Sequence, residues 1–190
     1  YSSAASDVYK RQPMRPLFPK DYRNDVTLNN MVMSVDENCR PELLAMIGSA
    51  IATSISDIPF DGPCATTQIG MIDGEFIVNP SQAQWQDGDL QLTVASTKQK
   101  VIMIEAGANE IPEDKMIEAI YKAHDINQTI IAFIDKIVAE VGKEKHSYVS
   151  CAVPAEMFEA MKQVVSPEEM EVAVFTDDKQ TREKNIDAVT

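Results

Sequence analysis

The sequence predicts an α+β fold followed by a separate α-helical segment. The middle of the chain carries β-forming runs with tight-turn signals, whereas the later part carries apolar residues at helical spacing. Hydrophobic residues make up 44% of the 190 residues, which is enough for a buried core. This length fits one medium domain, or one domain plus part of a second.

The first predicted elements are a strand and a helix. The strand is VTLNNMVMSV at 26–35, which is rich in apolar and β-forming residues. The helix is expected to begin at Pro41, because proline suits the first helical position, and apolar residues follow it at helical spacing. Pro59 and the Asp-Gly-Pro turn at 61–63 are expected to end this helix.

A group of four strands is predicted next. The dipeptide Asp73-Gly74 between two β-forming runs is a strong signal for a two-residue hairpin turn. Apolar residues alternate with other residues over 90–95, so we expect a strand with one buried face. The run 101–105 predicts another strand after a polar turn.

Helical periodicity begins at Pro112. Isoleucines recur at steps of three or four residues as far as Val141, and Gly142 provides a natural end. The span 112–141 is compatible with one long helix or with two. Two shorter helical segments follow, with prolines at 154 and 167 near their starts.

Charge is distributed unevenly along the chain. The net charge is −13, but residues 1–25 hold five Lys or Arg against three Asp, a net of +2, which leaves −15 for the remainder. An acidic surface does not favour broad binding to a phosphate backbone, which needs basic side chains. Any contact with nucleic acid is therefore expected from the basic N-terminal stretch or from other chains.

Cysteine, histidine and hydropathy patterns exclude several kinds of site. Cys39, Cys64 and Cys151 are odd in number and far apart, which fits reduced thiols in a cytoplasm better than a disulfide framework. With no CxxC pair and two histidines, a structural zinc site is not expected. No apolar run approaches the ~18 residues of a membrane span, so no membrane partner is expected.

Four ordered motifs resemble those of one family. They are RPLFPKDYRND at 15–25, LLAMIGSAIATSISDIPFDGP at 43–63, IDGEFIVNP at 72–80 and EAGANEIPED at 105–114. In order and spacing they resemble the first ribonuclease-PH-like domain of the polynucleotide phosphorylase family.

This resemblance implies a domain layout. Residues 13–145 are expected to be the C-terminal part of the first ribonuclease-PH-like domain, with a ribosomal-protein-S5-like βαβ core. Residues 146–190 are expected to begin an all-helical linker domain. Residues 1–12 lack periodicity and resemble translated sequencing-adapter sequence, so we expect them to be a non-native tail.

The resemblance also implies an activity and partners. The full-length enzyme would be a cytoplasmic nucleotidyltransferase, a phosphorolytic 3′-to-5′ exoribonuclease that degrades mRNA to nucleoside diphosphates. It would use inorganic phosphate as co-substrate and Mg²⁺, and its partners would be single-stranded RNA, its own copies in a homotrimer and RNA degradosome components. This half would be the non-catalytic scaffold and RNA-channel domain. The alternative is a non-enzymatic ribonuclease-PH-like RNA-binding or assembly subunit of an exosome-type ring.

No catalytic residue and no metal ligand are expected in this chain. On the resemblance, the two aspartates and the lysine of the family's active half fall on Trp85, Gln91 and Thr93. The serine-rich phosphate loop of that half falls on 40–42, which reads Arg-Pro-Glu. Phosphorolysis needs metal-holding carboxylates, a cation and donors for phosphate, and these replacements do not supply that set.

Other polar residues have interpretations of their own. We expect Arg15, Lys20 and Arg23 to contact the RNA backbone or other subunits of the trimer, because the prolines around them favour an extended loop. Asp87 and Asp89 bracket a glycine and are interpreted as turn residues rather than metal ligands. We also expect Arg40 to be a solvated arginine and Trp85 to pack under a loop.

Overall fold

An antiparallel sheet lies at the centre of the first of two units. The computed structural model describes residues 12–36 and 38–189, and the chain divides between residues 149 and 150. The sheet has four strands in the order β2-β1-β3-β4. They are β1 (Ala65–Ile72), β2 (Glu75–Val78), β3 (Leu90–Ser96) and β4 (Val101–Ala108). The predicted α+β class is confirmed.

Helices pack on this sheet. After a 3-10 turn at Arg15–Leu17, the helices of the first unit are α1 (Pro41–Ile55), α2 (Gln82–Asp87) and α3 (Glu113–Val141). Helix α3 contacts β1 and β3, and α1 contacts both α3 and β1. The span from 112 to 141 is therefore one helix, and Gly142 ends it as expected, with its N–H on the Val138 carbonyl at 2.8 Å.

The hairpin prediction is confirmed, and the interpretation of β3 needs a correction. Asp73 and Gly74 both have positive φ, 50° and 82°, as a two-residue turn between twisted strands requires. The alternating pattern predicts one buried face for β3, but Thr93 and Ala95 on its other face are also buried. β3 lies between β1 and β4, so it is a central strand of the sheet, and residues on both of its faces are buried.

The strand expected at 26–35 is wrong. This segment is not in any strand of the sheet, and Met31 and Met33 are more than four-fifths exposed. A strand is stable only when a neighbouring strand satisfies its backbone N–H and C=O groups. Among the described strands, β2 and β4 each have one open side, but the segment 26–35 pairs with neither of them, so its apolar composition did not suffice to make it a strand.

One helix escaped prediction although the sequence carries its signature. In α2, the Ser81 hydroxyl accepts from the Gln84 backbone N–H, and the Gln84 side chain accepts from the Ser81 backbone N–H. This capping box has the sequence pattern S-x-x-Q, which by itself signals the start of a helix.

A buried asparagine joins α3 to the sheet. Asn127 is fully buried, and its carbonyl oxygen accepts from the Thr67 hydroxyl at 2.8 Å. Its amide nitrogen donates to the Val94 carbonyl at 3.1 Å and to the Ser96 hydroxyl at 2.7 Å. The side chain thereby satisfies polar groups of β1 and β3 that the helix would otherwise cover without a partner.

The second unit is helical, as predicted. It contains α4 (Ala155–Val164), α5 (Pro167–Val174) and α6 (Lys179–Val189). Helix α5 starts with a capping box between Ser166 and Glu169. The predicted division at 145/146 stays a prediction, and the expected tail at 1–12 lies, apart from Gln12, outside the described residues. No described helix combines the length and apolar character that crossing a membrane requires.

Candidate functional site

The three cations predicted to contact RNA line one cavity. Arg15 begins the 3-10 turn, and Lys20 and Arg23 follow in the loop after it. The cavity has a volume of about 650 Å³, and all of its identified lining residues lie between 14 and 28. Lys20 and Arg23 lie in a loop as expected, whereas Arg15 lies in a 3-10 turn, so the expected extended loop does not include Arg15. The contact of the three cations with RNA stays a prediction.

Local contacts shape this loop, which we call the basic loop (residues 15–25). The Tyr22 backbone N–H donates to the Pro19 carbonyl at 3.1 Å and closes a turn. The Arg23 guanidinium donates to the Lys20 carbonyl at 2.6 Å. On the inner side, Phe18 packs against Phe60 with ring centroids 5.1 Å apart, so an apolar anchor holds the turn.

A second segment, the strap (residues 143–148), braces the basic loop from behind. Tyr148 donates from its hydroxyl to Asp21 Oδ1 at 2.8 Å, and this hydrogen bond raises the pKa of Tyr148. Its ring meets Tyr22 edge-on at 5.0 Å. The Tyr22 hydroxyl lies 3.4 Å from His146 Nε2, whose Nδ1 is 3.9 Å from the Asp57 carboxylate.

Lys145 fixes the strap to the C-terminal end of α1. Its ammonium donates to the carbonyl oxygens of Thr53, Ser54 and Ser56 at 3.1, 2.9 and 2.6 Å. Carbonyls at the last turn of a helix lack helical partners, and a cation suits the negative end of the helix dipole. Burial lowers the pKa of Lys145, and the nearby Asp57 carboxylate opposes that shift.

On the resemblance, several residues of this chain stand at the catalytic positions of the family's active half, and in the structure these residues lie close together. The Arg40 guanidinium carbon is 4.5 Å from the centroid of the Trp85 ring. Gln91 donates from its carboxamide to the Trp85 carbonyl at 2.7 Å. Farther along β3, the Thr93 hydroxyl accepts a hydrogen bond at 3.3 Å from the carboxamide of Gln68, which lies in β1. These contacts connect the start of α1, helix α2 and strands β1 and β3.

Two expectations at this cluster need correction. Arg40 is not a solvated arginine, since its side chain is 14% exposed and stacks on the indole. Trp85 is covered by that guanidinium rather than packed only under a loop. Glu42 pairs with the same arginine at 3.8 Å, which places a carboxylate where the resemblance places a phosphate loop.

This cluster does not fit a magnesium site. Mg²⁺ prefers carboxylate oxygens in octahedral geometry, whereas the positions in question carry an indole, a carboxamide and a hydroxyl. Within 12–36 and 38–189, no three His, Cys, Asp or Glu residues are grouped as metal ligands. Asp87 and Asp89 are both exposed, but Asp87 is the last residue of α2, and the bend that leads into β3 consists of Gly88 and Asp89.

The three thiols are expected to differ sharply in reactivity. Cys39 and Cys151 are exposed, whereas burial raises the pKa of Cys64 to about 12. Since the thiolate is the reactive form, a chromogenic disulfide reagent at about pH 8 should titrate two thiols in the native chain and three in denaturant. Fast modification of Cys64 in the native chain, located by peptide mass spectrometry, would contradict the buried placement.

Comparison with known proteins gives a consistent result. Residues 62–126 match the model of the 3′ exoribonuclease family, domain 2. The chain is 72% identical, over 92% of its length, to a polyribonucleotide nucleotidyltransferase of Lachnoclostridium phytofermentans. It is 48% identical, over 94% of its length, to the polyribonucleotide nucleotidyltransferase of Ruminiclostridium cellulolyticum. The chain spans about a quarter of the length of these relatives.

Among solved structures, the crystal structure of rice (Oryza sativa) Rrp46 overlaps partially. The TM-score is 0.46 with 17% identity, over 53% of this chain and 48% of that one.

The family match covers β1 through the first half of α3, which is the sheet with its packed helix. The domain is ribonuclease-PH-like, as the sequence predicts.

Proposed function

We propose that the chain forms a non-catalytic part of a phosphorolytic 3′-to-5′ exoribonuclease. The chain belongs to the polyribonucleotide nucleotidyltransferase family and corresponds to about a quarter of the length of its relatives. In the complete protein this part serves as scaffold and as a wall of the RNA path. The observation that carries the proposal is the stack of Arg40 on Trp85, which occupies the positions where the resemblance places catalytic groups.

The chemistry of this cluster supports an inert role. Phosphorolysis brings together two anions, phosphate and a phosphodiester, so a competent site must neutralise charge with metal ions and cations. Here the one guanidinium faces an aromatic ring and the carboxylate of Glu42, which would repel phosphate. We therefore assign Mg²⁺ and inorganic phosphate to the part of the full-length protein outside this chain.

The basic loop supports the RNA-path role. The cavity wall contains three cations, Arg15, Lys20 and Arg23, and one carboxylate, Asp25, within a chain whose net charge is −13. A local net charge of +2 on an acidic protein concentrates phosphate at that one place. Two of the three cations are arginines, whose planar guanidinium groups suit phosphate oxygens.

The remaining properties that the resemblance implies belong to the same proposal. In the full-length protein the substrate is single-stranded RNA, the assembly is a homotrimer, and RNA degradosome components are partners. The location is the cytoplasm, a compartment in which three widely spaced cysteines stay reduced.

Neutralising the basic loop is expected to weaken RNA binding. A triple variant with Arg15, Lys20 and Arg23 each changed to alanine should raise the Kd for a fluorescein-labelled oligoadenylate, measured by fluorescence anisotropy. If each cation neutralises one phosphate, the slope of log Kobs against log salt should fall by about 2 for a single strand. The matched control changes Lys100, Lys136 and Lys184 to alanine, which removes three exposed cations elsewhere. Equal losses in both variants would refute the assignment of the loop.

The chain alone is expected to perform no phosphorolysis. Purified chain, RNA, inorganic phosphate and magnesium should yield no nucleoside diphosphates by chromatography, while a full-length polyribonucleotide nucleotidyltransferase serves as the positive control. The reason is the absence of a carboxylate pair at the Trp85 and Gln91 positions. Diphosphate release that survives removal of contaminating nuclease and is abolished by Asp87→Ala would demonstrate a catalytic site in this chain.

A further inference from the structure

We infer that the cavity of the basic loop receives one base of single-stranded RNA, which stacks against Tyr22 while the cations at the cavity rim hold the flanking phosphates. The inference rests on the proposed RNA-path role of this loop and adds a base-binding pocket to it. The ligand is thus one nucleotide of an RNA chain, with its base as well as its phosphates.

The lining of the cavity is the first observation. Twelve lining residues are identified, and besides the three cations, Asp25 and Asn24 they comprise seven apolar or aromatic side chains. A surface that only neutralises phosphates needs basic side chains and no apolar concavity. An apolar interior with a few polar groups is typical of pockets that enclose an organic ligand. The cavity volume of about 650 Å³ lies within the range of such pockets, about 300–1,000 Å³.

The charged and the apolar lining residues lie at different depths. Arg15, Lys20 and Arg23 are exposed, whereas Met14 is 2% exposed and belongs to a hydrophobic core cluster of the first unit. Leu28, which also lines the cavity, packs against the same cluster. A base has apolar faces and its phosphates are charged, so an apolar interior with a cationic rim matches both parts of one nucleotide.

Tyr22 supplies the stacking surface. It lines the cavity, and contacts with the strap hold its ring in place. The Tyr148 ring meets it edge-on at 5.0 Å, and the Tyr22 hydroxyl lies 3.4 Å from His146 Nε2. Because the ring is fixed before RNA binds, stacking orders little further side-chain motion. Stacking on aromatic side chains is a general way in which proteins hold unpaired bases of single-stranded RNA.

The test compares two RNAs on the 190-residue chain. One is fluorescein-labelled oligoadenylate, and the other is an abasic oligomer of the same length, which carries the same phosphates without bases. The Kd from fluorescence anisotropy should be at least about fivefold higher for the abasic oligomer, since stacking of one base contributes at least that factor.

The variant Tyr22→Leu removes the aromatic ring and keeps an apolar side chain. It should lose most of the preference for oligoadenylate, while its affinity for the abasic oligomer stays within about twofold of that of the unmodified chain. The slope of log Kobs against log salt should not change, because no phosphate contact is lost. Tyr121→Leu is the matched control, since Tyr121 is 65% exposed on α3 and is not among the lining residues, and it should leave both affinities unchanged.

The outcomes separate the pocket from the RNA path. Equal binding of both RNAs by the unmodified chain would mean that the cavity holds phosphates alone, and the inference would be wrong. An equal loss for both RNAs in Tyr22→Leu would show that Tyr22 only supports the fold of the loop, which also overturns the inference. If the triple alanine variant of the basic loop binds oligoadenylate normally, the proposed RNA path itself is wrong and the pocket with it.

Crosslinking tests the pocket without any substitution. An oligomer that carries one 5-iodouridine is irradiated with the unmodified chain, and the crosslinked residue is located by peptide mass spectrometry. The crosslink is expected between residues 14 and 28, which line the cavity. Crosslinks at other places alone would contradict the inference even if Tyr22→Leu failed to fold. Thermal unfolding followed by circular dichroism verifies that each variant is folded.

Discussion

Replacing Asn127 with alanine is expected to lower the free energy of unfolding by about 3 kcal/mol. The substitution leaves the Thr67 and Ser96 hydroxyls buried without their partner, and each such loss costs about 1–3 kcal/mol. Urea unfolding followed by the fluorescence of Trp85 measures the effect. Because Trp85 is the single tryptophan and lies in the first unit, this signal reports on the unit that contains Asn127.

Gln128 provides the control on the same helix. It is half-buried and donates to the Thr97 carbonyl at 3.1 Å, so Gln128→Ala should cost no more than about 1 kcal/mol. Similar losses for Asn127→Ala and Gln128→Ala would mean that Asn127 does not hold the helix on the sheet.

Periodicity predicted the existence of α3 but not all of its buried residues. The stripe expected from isoleucines includes Ile134, which is fully buried, but it also includes Val141, which is 59% exposed. The buried row instead passes through Ala119, Ala123 and Asn127. A polar residue in that row gives no apolar signal, because its burial depends on partners in strands that lie 31 to 60 residues away in sequence.

The contrast between the hairpin and the segment 26–35 shows where local sequence is sufficient. At Asp73-Gly74 the backbone angles are determined by the two residues themselves, so a dipeptide predicts the turn. A strand at 26–35 needs a free sheet edge beside it, which is a tertiary condition. Equal β-forming composition therefore gave a correct prediction in one place and a wrong one in the other.

Part of the candidate site could likewise be predicted from local sequence, whereas the other part is visible only in the folded structure. Proline spacing and charge indicated that Arg15, Lys20 and Arg23 act together, because all three lie within nine residues. The strap was not predictable, since Tyr148 and Asp21 are 127 positions apart. The charged run that contains Lys145 has the composition of a solvated linker, and only the fold shows that this lysine caps a helix.

Replacing Lys145 with methionine is expected to lower the free energy of unfolding by about 2 kcal/mol. Methionine retains much of the apolar side-chain length but donates no hydrogen bond, so three carbonyls at the end of α1 lose their ammonium partner. Lys145 is an exposed residue, but its ammonium makes three charge-assisted hydrogen bonds, and a hydrogen bond to a charged group contributes about 1.5–3 kcal/mol. The same urea titration, followed by Trp85 fluorescence, measures the loss.

Lys143→Met is the matched control, because Lys143 lies in the same strap and contacts α1 through its backbone N–H, which donates to the Ile55 carbonyl at 3.0 Å. That substitution keeps the backbone contact and should change the free energy of unfolding by no more than about 0.5 kcal/mol. Equal stability losses in the two variants would mean that the net charge of the strap matters and that the three-carbonyl contact does not.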